Sequence, residues 1–467
     1  MNIIRKTVFS SVSLSLSIGA ILAEGKDNKS KPNVIYIMAD DLGIGDLGCY
    51  GQRFIKTPGI DGLAANGVRF AQHYSGSTVS APSRCSLMTG KHTGHSFIRG
   101  NKGVVDEEGI RFDYPMAAGE ITVGEIMKRQ AYATACIGKW GMGGPQTEGH
   151  PNNQGFDYFF GYLGQANAHR YYPQFLFENQ TKVNLDKKVY SHDLIMEKAL
   201  KFISDNADKP FFLYLTPTIP HADIILPDGS LGEYDGMFDE TPFPGGGYTA
   251  QPKPRATFAA MVSRLDKGVQ QVMDLLEAKG IADNTIVIFT SDNGTHVEGG
   301  HEPFAFNSSG GLRGHKRDLY EGGIRTPFIV HWPAKIKKAS VSYHVSAFWD
   351  FLPTMCDLIG EQVPLGIDGI SYLPELTDEG EQKKHEYLYW EFHEQGGKQA
   401  VLKDNWKLIS FNVNDPSKGY LELYNLNSDP AEQLNSVEQY PEKVRELKAI
   451  IDQSHVKSEI YPLDIEK

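Results

Sequence analysis

Residues 33–38 (NVIYIM) decide the fold of this chain. They form an unbroken apolar and β-branched run, which predicts a strand buried on both faces of a parallel sheet. Runs of the same character lie at 211–215 and 285–290, and segments with helical periodicity lie between them, at 121–129, 194–204 and 258–278. This alternation predicts an α/β sandwich with a large, mostly parallel sheet flanked by helices.

The carboxyl-terminal part has a different pattern. A Pro- and Gly-rich stretch at 364–369 precedes short alternating segments at 387–392, 399–402, 406–410 and 422–425, and a helical segment at 441–455. This order predicts a smaller antiparallel sheet with one packed helix. We therefore expect a large domain over 24–365 and a carboxyl-terminal subdomain over 366–467.

The amino terminus predicts a secretory signal peptide over residues 1–23. Arg5 and Lys6 precede an apolar, serine-rich stretch that ends before Ala23, the expected cleavage point. An uncleaved anchor is the alternative, but the apolar run is short for a bilayer span and is diluted by serines. We expect an exported protein, periplasmic or secreted, without stable membrane insertion.

Composition excludes a nucleic-acid partner. The 467 residues include 46 Lys and Arg against 58 Asp and Glu, for a net charge of −12, and no basic tract is present. The four cysteines match no zinc spacing, so buried free thiols are favoured, although export leaves one disulfide possible.

Carboxylates follow two of the predicted strands. Asp40 and Asp41 come directly after the first strand, and Asp292 and Asn293 come after the strand at 285–290. An isolated Asp-Asp pair more often caps a turn, but two oxygen-rich strand ends at one sheet edge predict a hard-cation site. Because no His or Cys is interleaved with them, we expect calcium, with magnesium as the alternative.

The segment at 80–90 (SAPSRCSLMTG) carries the chemistry. A plain helix start explains Ser80 as an N-cap, Pro82 in the first turn and Gly90 near the end, but not Arg84. The segment resembles the sulfatase signature in its serine form: Ser or Cys, any residue, Pro, Ser, Arg, and later Thr-Gly. In that family a dedicated maturase oxidises the first residue to formylglycine, and Arg84 occupies the position that holds the modified side chain.

The resemblance covers most of the chain. It extends through motifs at 32–34, 40–41, 80–90, 138–140, 220–221, 291–294, 316 and 322–327. It implies an alkaline-phosphatase-like form of the sandwich, and one calcium ion held by Asp40, Asp41, Asp292, Asn293 and the modified residue 80. The hydrated aldehyde would attack sulfur through one oxygen and expel sulfate as the other oxygen re-forms the carbonyl.

Three further residues occupy sulfate-binding positions of the family: Lys139, His221 and Lys316. A lone lysine is more often a solvated surface charge, so these roles rest on the whole pattern. His221, which follows the strand at 211–215, is the candidate for protonating the leaving oxygen. One departure stands out, because many sulfatases continue Gly-Lys-Trp with His, whereas this chain has Gly141. His150 and His169 are possible substitutes, and neither is singled out.

The resemblance is strongest to glycan-degrading bacterial sulfatases, which implies a sulfated saccharide substrate, with 4-sulfated galactose or N-acetylgalactosamine as the first choice. Loop residues with sugar-binding chemistry lie at His169, Arg170, His296 and His315. Two alternatives stay open: a metal-dependent phosphohydrolase or phosphodiesterase of the same superfamily, and a noncatalytic carbohydrate-binding protein. The oxygen-only ligand set disfavours the first, and the intact Arg84, Lys139 and Lys316 disfavour the second.

Overall fold

The computed structural model describes residues 31–337 and 339–463. The predicted signal peptide over 1–23 lies outside the described residues. Within the described ranges, no helix combines the length and apolar character that crossing a bilayer requires. All four cysteines are free thiols, the favoured alternative; three are buried as expected, and Cys49 is half-buried.

The strands, in chain order, are β1 (Asn33–Ala39), β2 (Val68–Phe70), β3 (His73–Tyr74), β4 (Gly103–Val105), β5 (Arg111–Asp113), β6 (Ala133–Lys139), β7 (Tyr158–Tyr162), β8 (Phe175–Glu178), β9 (Thr181–Asn184), β10 (Phe211–Thr216), β11 (Thr285–Ser291), β12 (Phe328–His331), β13 (Ser340–Ser342), β14 (Ser346–Ala347), β15 (Leu388–Phe392), β16 (Lys398–Lys403), β17 (Trp406–Phe411) and β18 (Tyr420–Asn425). The helices are α1 (Pro58–Ala65), α2 (Ser80–Thr89), α3 (Val123–Arg129), α4 (Gln165–Ala168), α5 (Ser191–Asp205), α6 (Pro254–Ala278), α7 (Pro303–Phe306), α8 (Glu321–Ile324), α9 (Phe351–Ile359), α10 (Leu373–Thr377) and α11 (Pro441–Ser454).

A ten-stranded sheet forms the centre, in the order β13-β2-β12-β11-β1-β10-β6-β7-β8-β9. Its middle strands, β11-β1-β10-β6-β7, are parallel, whereas β12 runs antiparallel to β11 and β8 antiparallel to β7. The predicted α/β sandwich with a mostly parallel sheet is therefore confirmed. The short edge strands were not predicted, because they are too brief to show a period-2 pattern.

The side chains of strand β1 are buried on both faces of the sheet. Ile35 and Ile37 belong to one buried cluster, which includes residues of α5 and α6, while Val34 and Tyr36 belong to a second cluster with residues of α2, α3 and α9. Successive side chains of a strand point to opposite faces, so only an apolar residue at every position fits this environment.

The four-stranded antiparallel sheet β15-β16-β17-β18 confirms the smaller carboxyl-terminal sheet. Helix α11 packs on one face through Leu447 and Ile451, which lie in a cluster with Val401 and Leu408. The buried residues of the other face share a cluster with the residues around Trp349.

Candidate active site

Four neighbouring strands of the large sheet, in the order β11-β1-β10-β6, carry polar residues at or after their carboxyl ends. Because these strands are parallel, their carboxyl ends meet at one edge, the position where open α/β sheets bind ligands. The residues brought together there are Asp292 and Asn293 after β11, Asp40 and Asp41 after β1, His221 after β10 and Lys139 at the end of β6.

Backbone geometry joins the two acidic strand ends. Asp41 adopts a left-handed φ of 60°, its backbone N–H donates to Asp292 Oδ1 at 3.0 Å, and Asn293 Nδ2 donates to Asp41 Oδ1 at 2.7 Å. Gly294 is required beside them, because an added Cβ would lie 1.9 Å from the carbonyl oxygen of Gly322. The sequence-predicted metal ligands of these two strands therefore lie together.

Ser80 is the first residue of α2, and Val79 is the N-cap. The alternative interpretation of Ser80 as an N-cap is therefore wrong: its hydroxyl makes no cap bond and instead donates to Asp40 Oδ1 at 3.3 Å. Lys139 Nζ donates to Ser80 Oγ at 3.0 Å and to Asp40 Oδ2 at 2.8 Å. The side chain at position 80 thus lies beside both a carboxylate and a buried ammonium group.

Arg84 crosslinks these elements from one turn farther along α2. Its guanidinium is fully buried, donates to the carbonyl oxygen of Lys139 at 2.9 Å, and forms an ion pair with Asp292 Oδ2 at 2.8 Å. A planar guanidinium can hold a backbone oxygen and a carboxylate in one fixed geometry, which a lysine cannot. Arg84 therefore fixes the spacing between α2, β6 and the end of β11.

Lys316 reaches the acidic centre from the loop after α7. Its Nζ donates to Asp41 Oδ2 at 2.7 Å and to Glu298 Oε2 at 3.1 Å, and lies 3.0 Å from His221 Nε2. The backbone N–H of Lys316 donates to Thr295 O, which anchors the loop. Sequence reasoning missed Glu298, because nothing distinguishes a single glutamate in a glycine-rich loop before the structure places it.

Burial and charge set the protonation of this cluster. Burial lowers the pKa of His221 well below the usual value, and the ammonium of Lys316 lowers it further. Burial alone would lower the pKa of Lys316, but Asp41 and Glu298 raise it above its usual value. These shifts favour a neutral imidazole beside a protonated lysine, an arrangement that agrees with His221 Nδ1 facing the carbonyl oxygen of Ala222 and Nε2 facing Lys316 Nζ.

The donor set fits a hard cation. Asn293 Oδ1 is buried and accepts no hydrogen bond from the described residues, and the carboxylates of Asp40 and Asp41 converge with His221 so that one ligand atom of each lies within 4.8 Å of the others. Such an unpartnered oxygen beside several carboxylate oxygens is the environment that calcium prefers.

A cavity of about 170 Å³ opens above Ser80. It is lined by Ser80, His169, His221 and Lys316, and also by a group called the second wall here: Asn101, Arg111, Asp113 and Gln165. Sequence reasoning missed the whole second wall. Its residues lie just before or in the hairpin β4–β5 and at the start of α4, and no motif marks them in the sequence.

The predicted sugar-contacting residues have different placements. His169 lines the cavity, and its ring stacks on that of His221 with centroids 4.4 Å apart. Outside the cavity lining, Arg170 pairs with Asp223 at 3.2 Å, His296 is fully buried against Pro220 O, and His315 bonds the carbonyl oxygen of Lys316. The side chains of Arg170 and His315 are 56% and 42% exposed, so their contact with a sugar stays a prediction.

Gly141 stands where many sulfatases have a histidine, and Gln165 lies beside it. Gly141 has a left-handed φ of 80°, and an added Cβ would lie 3.3 Å from Cγ of Gln165. The side chain of Gln165 therefore fills the space next to this position. Of the two possible substitutes, His169 lines the cavity, whereas the ring of His150 lies against Asn179 O at 3.2 Å.

The fold and the site define an ester hydrolase of the alkaline-phosphatase-like class. Residues 32–361 match the family model described as Sulfatase, and residues 314–457 match that of the N-sulphoglucosamine sulphohydrolase carboxyl-terminal region. The chain belongs to the sulfatase family and is a sulfuric ester hydrolase, which removes the phosphohydrolase and the noncatalytic alternatives.

The match to two of the similar proteins spans nearly the whole of both chains. The chain is 29% identical to the N-acetylgalactosamine-6-O-sulfatase of Bacteroides thetaiotaomicron, over 91% of this chain and 93% of the relative. It is 28% identical to the human steryl-sulfatase, over 77% and 72% of the two chains. Among solved structures, Ps i-CgsB in complex with k-i-k-neocarrahexaose has 27% identity and a TM-score of 0.76, over 91% and 93% of the two chains.

Proposed function

We propose that this sulfatase hydrolyses O-sulfated saccharides, with a formylglycine made from Ser80 as the nucleophile and calcium as the cofactor. The observation that carries the proposal is the position of Ser80 Oγ, which lies 3.3 Å from Asp40 Oδ1 and 3.0 Å from Lys139 Nζ at the start of a buried helix. An oxidised side chain there would face the acidic centre, the cations and the cavity together.

Asp40, Asp41, Asp292 and Asn293 would hold the calcium ion, whose positive charge would offset the negative charge on the sulfate oxygens. Arg84 would hold the modified side chain, and the ammonium groups of Lys139 and Lys316 would bind the sulfate. In this structure Lys139 Nζ donates to Asp40 and Lys316 Nζ to Asp41, so both ammonium groups would turn from these carboxylates to the sulfate once calcium is bound. The amino-terminal end of α2 adds its dipole at the same point.

His221 and Lys316 form the proposed source of the proton for the leaving alcohol. The two side chains meet at 3.0 Å, and Tyr171 fixes the backbone of the His221 loop by donating to the carbonyl oxygens of Thr218 and His221. To protonate the leaving oxygen, His221 would have to gain a proton during the reaction, against the effect of burial and of Lys316 on its pKa, and Lys316 is the protonated group next to it.

The saccharide class is supported by the polar cavity and by similarity to proteins named for glycan substrates. The finer proposal, 4-sulfated galactose or N-acetylgalactosamine, rests on the resemblance of the motifs, and the 6-sulfated sugar named for the bacterial relative is its natural competitor. The proposal also includes export through residues 1–23 and maturation by a formylglycine-generating enzyme. It places every proposed catalytic residue in a catalytic domain over 24–365.

The deciding experiment measures sulfate release by the matured enzyme from 4-sulfated galactose, 4-sulfated and 6-sulfated N-acetylgalactosamine, an aryl sulfate and a steroid sulfate. The Ser80→Ala chain is the control and should release none. Turnover of a sulfated sugar is expected. Release from aryl or steroid sulfates alone would reject the saccharide class, and release from the 6-sulfated sugar alone would reject the 4-sulfate proposal.

A further inference from the structure

The cavity above Ser80 is lined by groups of both charges. His221 and Lys316 line it together with Ser80, whose hydroxyl accepts from the buried Lys139. The second wall adds the carboxylate of Asp113. A sulfate bound over residue 80 would therefore place the sugar ring in a cavity that also contains Asp113.

Asp113 is a buried carboxylate with one oxygen unused. Its side chain is held in place because Oδ2 accepts the backbone N–H of Gln165 at 2.8 Å. Oδ1 accepts no hydrogen bond from the residues that the structure describes, although only 8% of Asp113 is exposed. Burying a carboxylate is costly unless its oxygens find partners, and Oδ1, which is not among the buried unpaired atoms, is left for solvent or a ligand in the cavity.

A structural role does not account for this cost. Asparagine would accept the same N–H of Gln165 without burying a charge, so the backbone contact alone does not require a carboxylate. Next to it, Gln165 Nε2 donates to Asn101 Oδ1 at 3.2 Å, which places an amide pair on the same wall. Carboxylate and amide groups grouped in a concave site are suited to sugar hydroxyls.

The negative charge of Asp113 also determines which sugars this part of the cavity would exclude. A second sulfate on the same sugar would meet the Asp113 carboxylate, and like charges placed together at a binding site are strongly unfavourable. Arg111 is the cation on the same strand, but its side chain is exposed, where solvent and salt weaken its charge. Arg317, also on the cavity, is bound to Glu298 at 2.7 Å.

We propose that Asp113 determines specificity in this site by accepting a hydrogen bond from a free hydroxyl of the sulfated sugar and by excluding a second sulfate. The inference rests on the proposed saccharide function. It identifies the substrate class as a sugar that carries one sulfate and an unsubstituted hydroxyl beside it.

The test measures binding by calorimetry to the full Ser80→Ala chain in calcium buffer, so that no turnover occurs. The ligands are N-acetylgalactosamine 4-sulfate, its 6-sulfate and the 4,6-disulfate. Adding Asp113→Asn should weaken binding of the preferred monosulfated sugar by about tenfold to a hundredfold, because a charge-assisted bond is lost. It should strengthen binding of the disulfated sugar by about tenfold, because the repulsion is removed. Glu107→Gln, an exposed carboxylate in the turn between β4 and β5, should change neither.

The affinities for the monosulfated and the disulfated sugar are expected to change in opposite directions. This distinguishes a specificity role of Asp113 from a general loss of structure in the variant. A variant that is merely misfolded would weaken both ligands alike, and that result, or no change in either, would overturn the inference while monosulfate binding still supports the saccharide function. Failure of every sugar to bind the Ser80→Ala chain would reject the inference together with the saccharide function.

Discussion

Replacing Lys139 should lower the free energy of unfolding by an amount that can be worked out from the structure. Its Nζ lies 2.8 Å from Asp40 Oδ2, and the two side chains are 0% and 1% exposed. Lys139→Met keeps the length of the side chain and removes its charge, which leaves the Asp40 carboxylate buried with less compensation. Breaking a buried pair in this way costs about 3–5 kcal/mol. We expect the calcium-free variant to lose about that much free energy of unfolding.

Calcium should restore part of this loss, because a cation bound by Asp40 replaces the missing positive charge. The thermal shift caused by calcium should therefore be larger for Lys139→Met than for the unchanged chain. Turnover should still fall by about a hundredfold to a thousandfold, since a donor to the sulfate is gone.

The assay is thermal and denaturant unfolding with and without calcium, followed by sulfate-ester turnover. Lys128→Met is the matched control: Lys128 pairs with Asp157 at 2.7 Å, but both side chains are about half exposed, so the loss should be at most about 1 kcal/mol. If the two variants were equally stable and equally active, the reasoning from burial would be refuted.

Three further substitutions test other parts of the site. Asp292→Asn should abolish most of the calcium-induced thermal shift, and a full shift in the variant would exclude Asp292 as a ligand. His221→Ala should slow a substrate with a poor leaving group more than an activated aryl sulfate, and equal slowing of the two would eliminate the protonating role. Asp113→Asn should stabilise the fold at pH 7.5 by about 3 kcal/mol, because burial raises the pKa of the Asp113 carboxyl from 3.8 to about 6. That cost of ionisation is fully present above pH 6 and absent below about pH 4. A gain in the free energy of unfolding of Asp113→Asn that did not change with pH would contradict this explanation.

Much of the fold was predictable because each central strand is an uninterrupted apolar run. Strand β1 is buried along its whole length, and the predicted β10 and β11 differ from the structure by one residue at the end. The proposed metal ligands were found for the same reason, since they directly follow such runs and parallel strands end at one edge.

The second cavity wall was not predictable in the same way. Asp113 and Gln165 meet through a backbone N–H across 52 residues. Asp113 lies in the small sheet β4–β5, and Gln165 follows β7, a strand that the sequence pattern did not predict. The sequence also did not show which side chains line the cavity. His169 and Arg170 are adjacent in sequence, yet only His169 lines it. Loop contacts of this kind depend on tertiary packing and leave no periodic pattern.

The central claim is that Ser80 becomes the aldehyde nucleophile, and the mass of the peptide that carries residue 80 tests it most directly. The peptide should come from the active enzyme, produced together with a maturase, and be compared with the same peptide from chain made without one. We expect a residue that has lost two hydrogen atoms relative to serine, in a fraction that rises with the sulfate-ester turnover of the preparation. Unmodified serine throughout a fully active preparation would contradict it.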